Sequence, residues 1–250
     1  APDATLAPEL RPNDPYFDRQ WYLPAIGAPQ AWPNLPADQP QVVVAVIDTG
    51  ICLNHPDLEG RITGGIDMVN EQSPREIAGN DFPIDRPLLS VVAPMQDAAN
   101  HGCAMASIIA ANTNNAIGIA GIAPNALIMP IKVLDATGNG TVETVASAIH
   151  YAVDNGANII SLSIIMNPGS TDDEVSAITE AVNYAAEHGI PIVASAGNTY
   201  GGSARMPSSF DSVIAVGALT EAMEPSEISA AIGINVWAPG VGILSASIFP

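Results

Sequence analysis

Apolar residues along this chain fall into short β-branched runs and longer stretches in which apolar positions recur at helical spacing. The run over residues 41–47 is almost continuously apolar, which is typical of a strand buried on both faces. Helical spacing predicts helices at 101–111, 141–155 and 172–188; the second and third are started by Thr141 and Thr171, and each is stopped by a glycine. Shorter apolar runs predict further strands at 126–134, 157–165, 190–196, 211–219 and 235–238.

The order of these segments predicts the class of fold. Strands that alternate with helices of about 15 residues are typical of βαβ units, whose strands pair in parallel. We therefore predict one α/β domain over residues 41–250, with a mostly parallel sheet flanked by helices. Residues 1–40 are rich in Pro and Asn and predict an arm packed on that domain. Residues 70–96 combine prolines with mixed charges and predict a surface loop.

Composition narrows the possible partners. The chain has 250 residues, 48% of them hydrophobic, which is enough to bury a real core. Its formal net charge of −19 argues against binding to nucleic acid or to anionic membrane surfaces, both of which need basic patches. The same charge favours divalent cations, although an acidic surface kept for solubility explains it equally well. No apolar stretch reaches the roughly 18–20 residues of a membrane span.

The start of the chain and its two cysteines allow only limited expectations. The first residues lack the pattern of an export signal and are interpreted as a mature terminus, so we expect a secreted, extracellular protein.

Cys52 follows Asp48 closely and Cys103 follows His101 closely, so the two cysteines are near each other if those segments meet. Pairing needs suitable geometry, which the sequence does not supply. A cysteine nucleophile is disfavoured because neither segment offers a separate basic partner.

Several polar residues follow predicted strands, where reactive groups gather in open parallel sheets. Asp48 and Asn198 end two such strands, and His101 begins the helix that follows the long loop. A carboxylate, an imidazole and an amide donor can thus converge from distant positions. Residues 48–50 also match the Asp-Thr-Gly tripeptide of aspartic proteases, but those enzymes need two such carboxylates. The chain contains a single copy, so that alternative requires a dimer.

Taken together and in order, the motifs resemble the subtilisin-like serine proteases (subtilases, peptidase family S8), nearest the thermitase branch. The resemblance implies a three-layer subtilisin-like fold and serine endopeptidase activity on protein or peptide substrates. The segments that carry it run from Asn13 to Gly240. The main ones are residues 43–51 and 54–58, Asn100-His101-Gly102, residues 118–124, Ile131-Lys132-Val133-Leu134, residues 159–163, Ala196-Gly197-Asn198, Pro207-Ser208-Ser209, residues 213–218 and Trp237-Ala238-Pro239-Gly240.

The family's roles carry over to the matching positions. His101 is the expected general base, Asp48 orients and stabilises its imidazolium, and Asn198 donates to the oxyanion. The resemblance also implies two substrate-binding segments. Ser161, Leu162 and Ser163 would hold the substrate backbone, and Ala194, Ser195, Ala196 and Gly197 would line the pocket for the residue before the scissile bond.

Two departures from the family pattern affect these expectations. The usual His-Gly-Thr-His is His101-Gly102-Cys103-Ala104 here, and we interpret Cys103 as a buried, inert thiol. The usual Ser-Leu-Gly ends in Ser163, whose side chain should narrow the subsite or push the substrate strand outward.

A structural calcium site is a further implication of the resemblance. Calcium takes six to eight oxygen ligands from carboxylates, amides and backbone carbonyls. A plain surface turn is the alternative, because Asn-Asn sequences also favour turns. The expected ligands are the side chains of Asp14, Asp57 and Asn115 and the carbonyl oxygens of Asn112, Ile117 and Ile119.

The family's nucleophile has no match after Asn198, where Gly-Thr-Ser-Met-Ala is expected. In the family that serine opens a long apolar helix packed on the sheet. We therefore expect this chain alone to be inactive and poorly stable, with the C-terminal part of the fold missing, or a second chain to supply the serine-bearing segment. The alternatives are a non-catalytic subtilase-like module that binds peptides or a partner and, as the weakest hypothesis, the dimeric aspartic protease.

Overall fold

Seven strands form a single sheet in the computed structural model, which describes residues 9–36, 38–69, 97 and 99–247. Every pairing between neighbouring strands is parallel, so the predicted α/β sheet is confirmed. The spatial order is β2-β3-β1-β4-β5-β6-β7. The strands are β1 (Val43–Asp48), β2 (Ile66–Asp67), β3 (Leu127–Lys132), β4 (Ile159–Leu162), β5 (Ile192–Ser195), β6 (Val213–Leu219) and β7 (Val236–Pro239).

Five α-helices accompany the sheet in the described part of the chain, and three of them match predicted helices. These three are α3 (His101–Ala110), α4 (Val142–Asp154) and α5 (Asp172–Glu187). The arm adds the short helices α1 (Tyr22–Ala25) and α2 (Ala28–Ala31), which the sequence pattern did not resolve.

No helix of the described residues is long and apolar enough to cross a membrane. The surface loop predicted over residues 70–96 lies outside the described residues.

Strand lengths differ from the prediction where pairing stops. The predicted strand over 157–165 is present as β4, which ends at Leu162 because its ladder to β5 ends at the Leu162–Ala194 pair. Apolar side chains at Ile164 and Ile165 prolonged the sequence pattern, although the backbone has already left the sheet. β2 has only two residues, too few for any periodicity to reveal.

The two faces of β1 pack against different helices, which gives the three layers. Alternate residues of a strand point to opposite faces. Ala45 and Ile47 join the core under α4 and α5, whereas Val44 and Val46 join the cluster under α3. The continuous apolar run of β1 therefore reflects burial on both sides, as predicted.

The face that carries α3 is open over the rest of the sheet. Residues in register on parallel strands share a face, and Val46 aligns through Ser161 and Val193 with Ile214. Ile214 is 38% exposed and Val236 of the edge strand is 49% exposed. In the described part of the chain, α3 covers this face only above β1 and β3.

The arm lies against the domain through a small aromatic cluster. Tyr22, Leu23 and Trp32 are buried together with Ala120. Trp32 Nε1 donates to the carbonyl of Ile122 at 2.9 Å, and the Gln20 amide donates to the carbonyl of Ala120 at 2.8 Å. These hydrogen bonds satisfy polar groups that the contact buries.

Candidate functional site

The acid and the base of the site meet at the carboxyl end of β1. Asp48 is the last residue of that strand and is 1% exposed, while His101 is the first residue of α3. His101 Nδ1 lies 2.8 Å from Asp48 Oδ1 and 2.9 Å from Oδ2. The imidazole is 47% exposed, and within the described residues nothing hydrogen-bonds its Nε2 atom. The ring is thus held at one nitrogen and open at the other.

The surroundings of His101 favour its protonated form. The hydrogen bond that His101 donates to Asp48 raises the pKa of His101, and the charges of Asp48 and Asp97 act in the same direction. Partial burial opposes them without cancelling them, so the pKa of His101 lies above its ordinary value. An imidazole in this setting accepts a proton readily and keeps it beside a carboxylate.

Thr49 connects the acid to the helix that carries the base. Its N–H donates to Asp48 Oδ1 at 2.7 Å, and its Oγ1 accepts from the N–H of Gly102 at 3.0 Å. The buried ammonium of Lys132 donates to the carbonyl oxygens of Thr49 and Leu134. The loop after β1 is therefore fixed on both sides.

Asp97 is a buried acid that supports the site and that the sequence analysis did not single out. Its carboxylate is fully buried and accepts from Thr49 Oγ1 at 2.8 Å. It also accepts from the N–H groups of Ala99, Asn100 and Cys103 at 3.0, 2.8 and 2.8 Å. These donors lie at the start of α3, where a carboxylate satisfies free N–H groups. The sequence did contain a signal for Asp97, because an acid stands four residues before His101 at a predicted helix start.

Cys52 and Cys103 form a disulfide, with 5.2 Å between their Cα atoms. The expectation of an inert thiol at Cys103 is therefore wrong. The two segments pack so closely that a Cβ at Gly102 would collide with the carbonyl oxygen of Gly50. This approach brings the cysteines within bonding distance, and spacing along the sequence could not reveal it.

The predicted substrate-binding residues lie at the carboxyl ends of β4 and β5, on the same edge of the sheet as Asp48. β4 lies beside β1, with Ser161 opposite Val46 and Leu162 opposite Ile47. Leu162 is buried in the core. Ser163 follows the end of β4, at the same height along the sheet as Asp48 of β1. The side chain of Ser161 is half-buried.

The second predicted segment follows β5. The side chains of Ala194 and Ala196 are 1% exposed and turn into the protein, whereas that of Ser195 is exposed. Gly197 adopts a positive φ of 94° and turns the chain so that Asn198 is exposed. The carbonyl of Gly197 accepts from Ala230 at 2.9 Å, which anchors this turn. No hydrogen bond from the Asn198 side chain is present within the described residues.

The residues expected to bind calcium come together at the start of the arm. Asp14 and Asp57 are 4% and 0% exposed. Asp14 accepts from the N–H of Asn114 at 2.7 Å, and Asp57 accepts from the Asn115 amide at 3.0 Å and from the N–H of Ile119 at 2.9 Å. Burial raises the pKa of Asp57, and the neighbouring Asp14 adds to that rise. Two buried carboxylates thus lie on either side of Asn115, and among the described residues no basic side chain hydrogen-bonds to either, although the charge of His55 acts on Asp57.

The remaining oxygens of this loop also suit a hard cation. The carbonyl oxygens of Asn112, Ile117 and Ile119 accept no hydrogen bond from the described residues. Asn112 uses its side chain elsewhere, accepting from Arg61 Nε at 2.7 Å. The described part of the chain holds no cluster of three or more His, Cys, Asp or Glu able to bind a metal. A cation here would therefore depend on two carboxylates, one amide and these carbonyls, a set that fits calcium.

Comparison with known proteins identifies relatives over almost the whole chain. The family model described as the subtilase family (Peptidase_S8) matches residues 39–247. Thermitase from Thermoactinomyces vulgaris is 39% identical over 237 residues, which cover 94% of this chain and 75% of the relative. The thermophilic serine proteinase of Bacillus sp. (strain AK1) is 39% identical over 94% of this chain and 52% of its own length. The major intracellular serine protease of Bacillus subtilis (strain 168) is 36% identical over 89% of this chain and 65% of its own length.

Proposed function

The chain belongs to the subtilase family of serine proteases, and from that premise we propose that it provides the acid–base part of an endopeptidase active site. The observation that carries the proposal is the contact of His101 Nδ1 with both oxygens of buried Asp48. That contact selects the tautomer in which Nδ1 bears the proton and Nε2 can accept one. The chain spans about half to three quarters of these relatives' lengths, so hydrolysis is proposed for the protein that includes the nucleophile.

In the proposed mechanism His101 Nε2 removes the proton of a serine hydroxyl as the oxygen attacks the peptide carbonyl. The imidazolium that forms is stabilised by Asp48, and it later gives its proton to the leaving amine. Asn198 is exposed beyond β5 and would donate its amide N–H to the developing oxyanion. The substrate backbone would run beside residues 161–163, with the side chain before the scissile bond directed towards residues 194–197.

The serine-bearing segment is proposed to lie outside these 250 residues, in a continuation of the chain or in a second chain. The open face of β4–β7 supports this proposal, because Ile214 and Val236 expose apolar surface that a helix could cover. Covering apolar surface stabilises a protein by about 25 cal/mol per Å². The 250-residue chain alone is accordingly expected to be inactive and of low stability.

The test compares the 250-residue chain with an extended form, which adds any coding sequence after Pro250 or a second chain that co-purifies. We expect the extended form to react with a fluorophosphonate probe and to hydrolyse casein, and the 250-residue chain to do neither. In the extended form, His101→Ala should lower kcat by a factor of about 10⁴ or more and leave KM nearly unchanged. Glu180→Gln, at an exposed position of α5, is the control. Absence of probe labelling in every form would contradict the proposal and favour a peptide-binding module.

The raised pKa of His101 gives the proposal a pH signature. His101 must be neutral to accept a proton, so kcat/KM should rise with pH through the pKa of this residue. Because that pKa lies above its ordinary value of 6.5, the acid limb of the profile should be centred above pH 6.5. An acid limb centred below that value would contradict the role assigned to the Asp48–His101 hydrogen bond.

We further propose that the Asp14–Asp57 loop binds a structural calcium ion. The support is a pair of buried carboxylates and the raised pKa of Asp57. When the pKa of an acid is higher in the folded state than in the unfolded state, the protein loses stability as pH rises from the unfolded pKa to the folded pKa. Over that range the unfolded state ionises and the folded state does not. A bound cation would offset this loss by stabilising the ionised form.

Calcium should therefore raise the melting temperature at neutral pH, and its effect should fade on acidification towards the raised pKa of Asp57. Asp57→Asn should abolish the calcium-dependent shift measured by differential scanning fluorimetry with EGTA and with CaCl₂. Asp18→Asn, which changes an exposed acid of the arm that carries Asp14, should retain the shift. An equal calcium response in both variants would contradict this site.

We also infer that the protein works outside the reducing cytoplasm. The buried Cys52–Cys103 disulfide supports this location, because disulfides persist mainly in oxidising compartments. Full oxidation of the pair in protein recovered from culture medium, measured by mass spectrometry after thiol alkylation, would agree with it. Recovery of the protein only from the cytoplasm, with both thiols free, would contradict it.

A further inference from the structure

The disulfide joins the two segments that carry the acid and the base. Cys52 lies shortly after Asp48 in the loop that follows β1, and Cys103 is the third residue of α3, in the same turn as His101. Both cysteines are almost completely buried, at 3% and 0% exposure. The covalent link is therefore buried, and along the chain it lies close to both Asp48 and His101.

His101 and Cys103 lie on opposite sides of the first turn of α3. Positions separated by two residues on a helix point in nearly opposite directions. Cys103 accordingly faces the cluster that contains Val44, Val46 and Ile128, whereas His101 is 47% exposed. The bridge ties the inner side of the turn to the loop and leaves the imidazole free on the outer side.

The other contacts between these segments are hydrogen bonds and apolar packing, and none of them is covalent. The N–H of Gly102 donates to Thr49 Oγ1 at 3.0 Å, and the N–H of Asp97 donates to the carbonyl of Ile51 at 3.1 Å. Acid and base are otherwise separated by 53 positions of sequence. Because the disulfide is covalent, it limits how far the first turn of α3 can move from the loop after β1.

We propose that the Cys52–Cys103 bridge is a positioning element, which keeps the first turn of α3 on the loop after β1 so that His101 retains its contact with both oxygens of Asp48. The geometric part of this inference stands on the disulfide and its neighbours alone. Its importance for hydrolysis rests on the proposed function. Loss of the bridge should loosen the Asp48–His101 contact while the sheet and the remaining helices stay folded.

The test replaces both cysteines with alanine in the extended protein and measures the pKa of His101 by NMR of ¹³Cε1-labelled histidine. The chain has four histidines, and His101→Gln assigns the resonance of interest. If the contact loosens, the pKa of His101 should fall by about one unit, since a paired carboxylate shifts a neighbouring group by one to three units. The resonances of His150 in α4 and His188 at the end of α5 should be unaffected, which makes them internal controls.

A matched variant separates positioning from general loss of stability. Ile128→Ala truncates a fully buried side chain of the same cluster and leaves the disulfide intact. It should lower the melting temperature without moving the pKa of His101. An unchanged pKa in the double alanine variant, or equal shifts in both variants, would overturn the proposal. If the double alanine variant does not fold, Cys52→Ala with Cys103→Val refills the space of the bridge and takes its place.

Kinetics of the same variants provide a second readout. Misalignment of the base should lower kcat about tenfold to a hundredfold with little change in KM, whereas Ile128→Ala should retain kcat below its melting temperature. An unchanged kcat in the bridge variant would also overturn the proposal. If the extended protein has no peptidase activity, the proposed function fails, and the NMR measurement still decides whether the bridge positions His101.

Discussion

Single buried residues behind the acid and the base determine the geometry of the site. Thr49 contacts Asp48 through its backbone N–H, and Asp97 and the first turn of α3 through its hydroxyl, so one residue links all three. The raised pKa of His101 also affects folding. A histidine whose folded pKa is raised contributes stability that is fully present below its unfolded pKa and is lost as pH rises through the folded pKa. The protein is therefore expected to be stabilised by His101 in acid and to use its neutral form above that range.

Asp97→Asn tests this arrangement at the residue scale. The asparagine amide has one acceptor oxygen where the carboxylate has two. The substitution also removes a negative charge that raises the pKa of His101. We expect the pKa of His101 to fall and the protein to lose about 1–3 kcal/mol of stability, since buried N–H groups at the start of α3 lose their partner. Histidine NMR and urea unfolding measure the two effects. Asp173→Asn, at an exposed acid in the first turn of α5, is the charge-matched control; identical shifts in both variants would rule out a local effect of Asp97.

At the scale of elements, caps and pairing explain where helices and strands begin and end. In α5 the Thr171 side chain accepts from the N–H of Glu174 at 3.2 Å, and the Glu174 carboxylate accepts from the N–H of Thr171 at 2.6 Å. α4 begins with the Thr141 side chain accepting from the N–H of Thr144 at 3.1 Å. These starts were predictable because they depend on residues only three positions apart. Strand ends depend on a partner strand, and they were placed less accurately.

Thr171→Ala should lower the free energy of unfolding by about 1 kcal/mol, because the N–H of Glu174 loses its acceptor. The same change at Ser176, an exposed position inside α5, should be neutral or slightly stabilising, since alanine has the higher helix propensity. Urea unfolding followed by circular dichroism compares the two variants. A loss at Ser176 as large as that at Thr171 would show that the capping box contributes little.

The whole molecule carries a strongly acidic charge, and ion pairs are few among its described residues. The sequence has 26 acidic residues against 7 basic ones, giving a net charge of −19. Within the described residues the ion pairs are Arg11–Asp18, which is exposed, and His101–Asp48. Repulsion among the excess carboxylates opposes the compact state, and salt screens repulsion between surface charges.

Sodium chloride should therefore raise the melting temperature at neutral pH. We expect the increase between about 10 mM and 500 mM salt to be several degrees, because the Debye length falls from about 30 Å towards 3–5 Å over that range. Scanning calorimetry in the presence of EGTA separates this effect from calcium binding. The increase should disappear near the isoelectric point, where net repulsion is absent. A melting temperature that falls with salt at neutral pH would show that attractive pairs dominate.

The sequence alone determined the family, the parallel α/β sheet and the positions of Asp48 and His101, because these depend on local patterns. The continuous run of β1 predicted a strand buried on both faces, and the caps of α4 and α5 placed both helix starts. Tertiary structure alone decided the Cys52–Cys103 bond, the role of Asp97, the early end of β4 and the open face above Ile214. Each of these depends on which distant segments approach one another, and hydrophobic periodicity carries no such information.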